Sequence, residues 1–308
     1  MKLICTTLLF SFFLSIVAIA QDKTYSQQEI VYDRKDGMAL MMTVLTPAKA
    51  NGKGIISLNS GAWGSSPNWL PSFVDRALPF INKGYTVFIV MHGAAPKYAI
   101  DDAVLDIKRA VQFVRHKASV YGIDSLRIGV TGTSSGGHLA LMVGMADDIR
   151  DPQAKDPMER VSSKVQAVAV FCPPTDFLNY GQVGFDLSGQ AALLQQARVL
   201  GAFQFKEWDK DKRVYTLITD KTKLLEIVKA VSPAQLVTAD DAPTYIMHGD
   251  KDPQVPLQQS QWIQEKLKAA KVPVELSVKS GAGHGWEGME KDEEAFVKWF
   301  DQHLGVKK

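Results

Sequence analysis

Residues 126–140 read LRIGVTGTSSGGHLA, and within them Gly132-Thr133-Ser134-Ser135-Gly136 sets a serine between two glycines. A short apolar run precedes the pattern and a helical one follows it. A serine on a tight strand-to-helix turn exposes its hydroxyl above a sheet, and flanking glycines avoid the Cβ collisions of such a turn. The next backbone N–H, from Ser135, then lies at a helix N-terminus, where it can stabilise an oxyanion. The chemistry implied is nucleophilic attack by Ser134 on a carbonyl carbon. The plain alternative is a Gly/Ser-rich connection between a buried strand and a helix.

A serine hydroxyl becomes nucleophilic when a base removes its proton and a third group orients the base. The histidines are His92, His116, His138, His248, His284 and His303. His116, late in a charged amphipathic helix, and His303, in the terminal helix, read as solvated surface residues. His138 lies one turn into the helix that the elbow points away from, and reads as a packing residue. His248 ends a strand before a glycine turn and reads as structural. His284 sits in SGAGHGW (280–286), just after the last expected strand, with glycines on both sides of it. Such a loop can hold an imidazole over the sheet edge, which makes His284 the candidate base.

The acid is expected between serine and histidine in chain order. In HGDKDPQVP (248–256) both Asp250 and Asp252 qualify. Asp250 follows the strand at once and suits a brace. Asp252, farther out and stiffened by Pro253, can reach His284 and is the candidate acid. A second oxyanion donor is expected in the loop Asn59-Ser60-Gly61-Ala62-Trp63-Gly64, with the N–H groups of Gly61 and Ala62 as candidates beside that of Ser135. Candidate pocket residues are Trp63, His92 and Trp286. No cofactor is called for. The histidines lack the spacing of a zinc site, and no Gly-x-Gly-x-x-Gly phosphate loop is present.

These residues need elements to carry them. Residues 28–33 and 38–46 alternate apolar and polar side chains around Asp36-Gly37, a hairpin signal. Buried-type strands are expected at Gly54–Leu58, Tyr85–Val90, Leu126–Val130, Val165–Phe171, Pro243–Met247 and Val274–Val278. Helical periodicity covers 69–82, 100–118, 137–147, 257–270 and 291–304. Strands alternating with helices predict an α/β fold: a mostly parallel twisted sheet, helices on both faces, and an N-terminal antiparallel hairpin. Residues 177–231 interrupt the alternation and hold no strong strand, only a helical stretch from Thr222 to Ala230. They form a lid or insertion at the rim above Ser134, or a plain helical connection.

Residues 1–20 read as a leader: Met1-Lys2, an apolar stretch, then Ala18-Ile19-Ala20 before Gln21. The expectation is export to a periplasm or the cell exterior, with no membrane anchor after cleavage and residues 21–308 as one domain. Cys172 is then the only cysteine, so no internal disulfide forms. The 308-residue chain has a formal charge of +2 and is 46% hydrophobic. That balance, with no basic stripe, argues against nucleic acid as a partner. Oligomeric state is not legible.

Taken together, GTSSGGHLA (132–140), HGDKDPQVP (248–256), GAGHGW (281–286) and SGAW (60–63) resemble the α/β-hydrolase superfamily. More narrowly they are similar to secreted carboxylesterases related to bacterial feruloyl and acetyl esterases and to hormone-sensitive-lipase-like enzymes. Tyr121-Gly122-Ile123-Asp124 and Ser232-Pro233 add to the likeness, which spans about residues 28–305. The resemblance implies a Ser134–His284–Asp252 triad and hydrolysis of small-molecule or polysaccharide-linked esters. Because no broad apolar lid is recognisable, short acyl groups are expected. Two departures stand out. Asn59-Ser60-Gly61 replaces the His-Gly-Gly usual in the oxyanion loop, so Asn59 is expected to take over the brace. Met91-His92-Gly93 stands where many relatives carry Tyr-Arg. The rival readings are a peptidase of the prolyl-oligopeptidase type and a non-catalytic binding protein that kept the fold.

Overall fold

Runs of fully buried residues mark strands covered on both faces, and they organise the chain. The computed structural model describes residues 24–305, so the expected leader lies outside the described residues. The strands are β1 (Tyr25–Lys35), β2 (Met38–Pro47), β3 (Gly54–Leu58), β4 (Thr86–Val90), β5 (Ile128–Thr133), β6 (Ala167–Phe171), β7 (Lys206–Asp209), β8 (Val214–Leu217), β9 (Thr244–Gly249) and β10 (Val274–Lys279). The helices are α1 (Leu70–Asn82), α2 (Ile100–His116), α3 (Ser135–Met145), α4 (Ala191–Gln196), α5 (Lys221–Ala230), α6 (Gln258–Ala269) and α7 (Met289–His303).

Eight strands form one sheet in the order β1-β2-β4-β3-β5-β6-β9-β10. The β1–β2 and β2–β4 pairs are antiparallel and the remaining pairs parallel. Asp36 and Gly37 close the first hairpin with φ of 49° and 78°, the left-handed pair that a tight two-residue hairpin turn demands. Every residue of β3, β4 and β6 is buried. Parallel strands sandwiched between helix layers read as continuous apolar runs for that reason.

The side-chain alternation of each strand splits the core into two layers. Ile56, Phe88, Val130, Val168 and Ile246 pack with α2, α3 and α6. Ile55, Val87, Ala169, Phe171 and Met247 pack with α1 and α7, where Phe80, Phe296 and Phe300 fill the space. The α/β architecture read from the sequence is the one observed. Among the described residues no helix is long and apolar enough to cross a membrane.

Two local differences have physical reasons. Residues 177–231 contain a strand pair after all, the ribbon β7–β8. Its strands are four residues long and lean on each other, with Trp208 and Tyr215 edge-to-face at 5.1 Å and half exposed, so no core-facing periodicity announces them. His303 is not fully solvated. Its ring lies 4.0 Å from that of Trp299, and burial lowers its pKa.

Candidate active site

Ser134 stands in an unusual backbone conformation. β5 ends at Thr133 and α3 begins at Ser135, leaving Ser134 alone between them at φ 55°, ψ −121°. A non-glycine residue there is strained, and such strain collects at functional sites. The turn is tight enough that a Cβ on Gly132 would fall 2.4 Å from the Gly136 carbonyl carbon. The Ser134 N–H donates to the Phe171 carbonyl at 2.8 Å, anchoring the turn to the end of β6.

Asp252 and His284 come from the loops after β9 and β10, adjacent parallel strands. His284 Nδ1 lies 2.7 Å from Asp252 Oδ2. The Asp252 side chain is fully buried while that of His284 keeps some exposure. The other carboxylate oxygen, Oδ1, accepts the backbone N–H groups of Gln254 (2.8 Å) and Val255 (2.9 Å). His248 Nε2 stands 3.2 Å from Oδ2. Burial by itself would raise the Asp252 pKa. The donors His248, His284, Val255 and Gln254 outweigh it and hold the carboxyl well below the usual range. An ionised Asp252 requires the proton of His284 on Nδ1, which turns the lone pair of Nε2 outward. Among the described residues no hydrogen bond joins His284 to the Ser134 hydroxyl. In free enzymes this contact is commonly loose and tightens when substrate arrives.

The neighbours hold these loops. Asp250 accepts the Gly281 N–H at 2.7 Å and so braces the His284 loop. A Cβ on Gly249 would sit 2.3 Å from the carbonyl oxygens of Ala282 and Gly283, so that loop lies directly on the end of β9. His248 is fully buried, with Nδ1 2.6 Å from Ser260 Oγ and Nε2 2.9 Å from the Val255 carbonyl. Cys172 joins the two halves of the site. It follows Phe171, and its Sγ contacts the His284 carbonyl at 3.7 Å. Burial pushes this thiol up to about 12, so it is no nucleophile. Cys172, His248 and Asp252 place ligand-type atoms within 4.8 Å of one another. Nε2 of His248 faces two acceptors and therefore carries its proton, so it offers no lone pair to an ion.

The candidate oxyanion loop differs from expectation at one atom. Gly61 N–H donates to Gly64 O at 3.0 Å and Gly64 N–H to Gly61 O at 2.8 Å. The Gly61 N–H is therefore spent inside the loop and cannot donate to a substrate. Between the two glycines, Ala62 and Trp63 have φ of 50° and 55°. Among the described residues the Ala62 N–H has no partner, and it remains, with that of Ser135, as a candidate donor. Asn59 spans the loop, its side-chain amide donating to Ser66 O at 2.9 Å while its own carbonyl accepts from Ser65 Oγ at 2.7 Å.

Ser134 and Ala62 open on a cavity of about 520 Å³. Trp63 forms part of its wall. Most of the rest comes from residues 174–203, notably Phe177, Tyr180, Leu187, Leu194 and Phe203. Residues 174–203 thus supply most of the apolar wall. Its signal was available as the recurrent aromatics and leucines of 177–203, but their spacing follows no regular element. The other two candidate pocket residues lie elsewhere. His92 is buried, held by Gly93 O (2.8 Å) and Ser60 Oγ (2.9 Å) behind the oxyanion loop. Trp286 packs edge-to-face on Phe171 in the α1–α7 layer and donates to Asp292 at 2.7 Å.

An eight-stranded, mostly parallel sheet with a serine elbow after its fifth strand is the α/β-hydrolase fold. Within it the chain belongs to the BD-FAE family, whose model matches residues 42–267. The probable carboxylic ester hydrolase LipM of Mycobacterium tuberculosis is 26% identical over 62% of this chain and 39% of its own length. The esterase LipQ of the same organism is 27% identical over 70% of this chain and 46% of its own length. The chain thus spans less than half of these curated relatives. A truncated carbohydrate esterase from gut microbiota superposes with a TM-score of 0.73 at 22% identity, covering 92% of this chain and 98% of that one.

Proposed function

We propose that this chain is a serine carboxylic-ester hydrolase working through Ser134, His284 and Asp252. The observations that carry the reading are the buried, multiply held Asp252 at 2.7 Å from His284 Nδ1 and a strained Ser134 that opens on an apolar cavity. His284 Nε2 takes the Ser134 proton as Oγ attacks the ester carbonyl, and Asp252 stabilises the imidazolium that results. The N–H groups of Ser135 and Ala62 hold the tetrahedral oxyanion. His284 then protonates the departing alcohol, and water, deprotonated by the same imidazole, releases the acid from Ser134.

The cavity wall supports acyl groups somewhat larger than acetyl. Long-chain triglycerides are disfavoured, since the apolar space is bounded at about 520 Å³. Export rests on the sequence of residues 1–20, and a carbohydrate-linked alcohol rests on the family resemblance. The test is turnover of p-nitrophenyl acetate, butyrate and decanoate by wild type and Ser134→Ala. Hydrolysis that disappears in the variant is expected. Equal residual rates in both would sink the reading, and faster cleavage of a prolyl amide than of any ester would replace it with a peptidase.

A further inference from the structure

A line of buried hydrogen bonds runs behind the oxyanion loop and takes no part in the steps above. Ser135 Oγ lies 3.1 Å from Ser60 Oγ, Ser60 Oγ lies 2.9 Å from His92 Nε2, and His92 Nδ1 lies 2.8 Å from Gly93 O. All three side chains belong to buried residues, none more than 6% exposed. The direction of the line is set at its far end. A carbonyl only accepts, so Nδ1 of His92 holds the proton. Burial lowers the His92 pKa to about 4, so the ring is neutral near pH 7 and Nε2 is an acceptor. Ser60 therefore donates to His92, and Ser135 donates to Ser60.

Both ends of this line touch the candidate oxyanion donors. Ser135 supplies one N–H, and Ser60 is two residues before Ala62, which supplies the other. The two segments also meet through backbone, since a Cβ on Gly136 would come 3.0 Å from the Leu58 carbonyl. We propose that His92 is a positioning residue, acting through Ser60 and Ser135 to fix the spacing between the Ala62 and Ser135 N–H groups. The inference rests on the ester-hydrolase reading of the site. It also accounts for Ser60 and His92 standing together, because without Ser60 the buried Nε2 of His92 would have no hydrogen-bond partner.

The experiment compares His92→Leu, which removes the acceptor, with His92→Gln, whose Oε1 can accept from Ser60. On p-nitrophenyl butyrate His92→Leu is expected to lose roughly 10- to 100-fold in kcat with KM little changed, as for weakened oxyanion donors. A boronic acid that mimics the tetrahedral state is expected to lose affinity in parallel. His92→Gln should recover most of both. Wild-type kcat in His92→Leu overturns the proposal, and so does a His92→Gln as slow as His92→Leu. If His92→Leu does not fold, Ser60→Ala must show the same kcat loss at constant KM. Imidazole ¹⁵N shifts of His92 give a readout independent of turnover. An acceptor-type Nε2 that moves on Ser60→Ala supports the line, and a protonated Nε2 overturns it. Wild type inactive on every ester would instead defeat the hydrolase reading, with the nitrogen shifts still judging the line itself.

Discussion

The Trp63 indole donates from Nε1 to His138 Nδ1 at 3.2 Å, and the opposite nitrogen of that imidazole donates to the Val231 carbonyl at 2.7 Å. One neutral ring thereby ties the residue after Ala62 to the C-terminal end of α5. The ring also packs against Phe177, and Trp63 meets Phe203 edge-to-face at 5.6 Å. The floor of the cavity and the candidate oxyanion loop are thus one packed unit.

That ring makes stability depend on pH. Complete burial lowers the pKa of His138 from 6.5 to about 4. The unfolded chain takes up a proton as pH falls through 6.5, while the folded chain resists until about 4. Stability is therefore full above pH 6.5 and declines toward pH 4, by about 3 kcal/mol for this group. Urea unfolding of wild type and His138→Gln between pH 4 and 7.5 checks this. The variant is expected to be weaker at pH 7.5 and to show a shallower decline. Parallel curves would contradict the assignment.

Asp252→Asn is expected to cut kcat on p-nitrophenyl butyrate by roughly 10³- to 10⁴-fold. An amide can turn its NH₂ toward His284, forcing the proton from Nδ1 to Nε2, where the ring can no longer act as base. KM should move little, since Asp252 is buried beneath the imidazole. Because the donors hold Asp252 ionised, its stabilising contribution is present above the ordinary carboxylate range and is lost as pH falls through its own lowered pKa. Asp252→Asn should therefore also remove part of the acid-induced loss of stability below about pH 4.

Ala197 is exposed and lines the cavity at the end of α4. Ala197→Phe should narrow the space without disturbing the core. Its kcat/KM for octanoate is expected to fall at least about tenfold while acetate changes less than about twofold, in line with the few kcal/mol that apolar pocket contacts command. Equal losses on both substrates would mean that the acyl chain lies elsewhere.

Gly132→Ala is expected to prevent a stable elbow. The added carbon would meet the backbone of Gly136 at 2.4 Å, and backbone cannot step aside as a side-chain tip can. A Tm drop of more than about 10 °C, or insoluble protein, is the predicted result. A variant that melts with wild type would show that the turn is looser than described.

Much of this was legible because burial writes itself into composition. β3, β4 and β6 are recognisable as apolar runs, and Asp36-Gly37 names its own turn. Glycines flanking Ser134 and His284 flag tight loops near chemistry. What stayed hidden depends on hydrogen-bond partners that spacing does not encode. Gly61 looks as free to donate as Ala62 until Gly64 is seen to claim its N–H. Trp286 follows His284 closely in sequence, yet its ring turns to Phe171 and Asp292 instead of the cavity. The β7–β8 ribbon is not legible in the sequence because its short strands satisfy one another and owe nothing to the main sheet.

The wall of the cavity has a consequence for how such a protein diversifies. Most of it comes from one continuous stretch, whereas Ser134, His284 and Asp252 ride on separate strand ends. On the proposed function, substitutions or length changes in that stretch would change which ester is accepted and leave the three reacting residues untouched. Closely related chains with identical reactive residues are therefore expected to differ in diet.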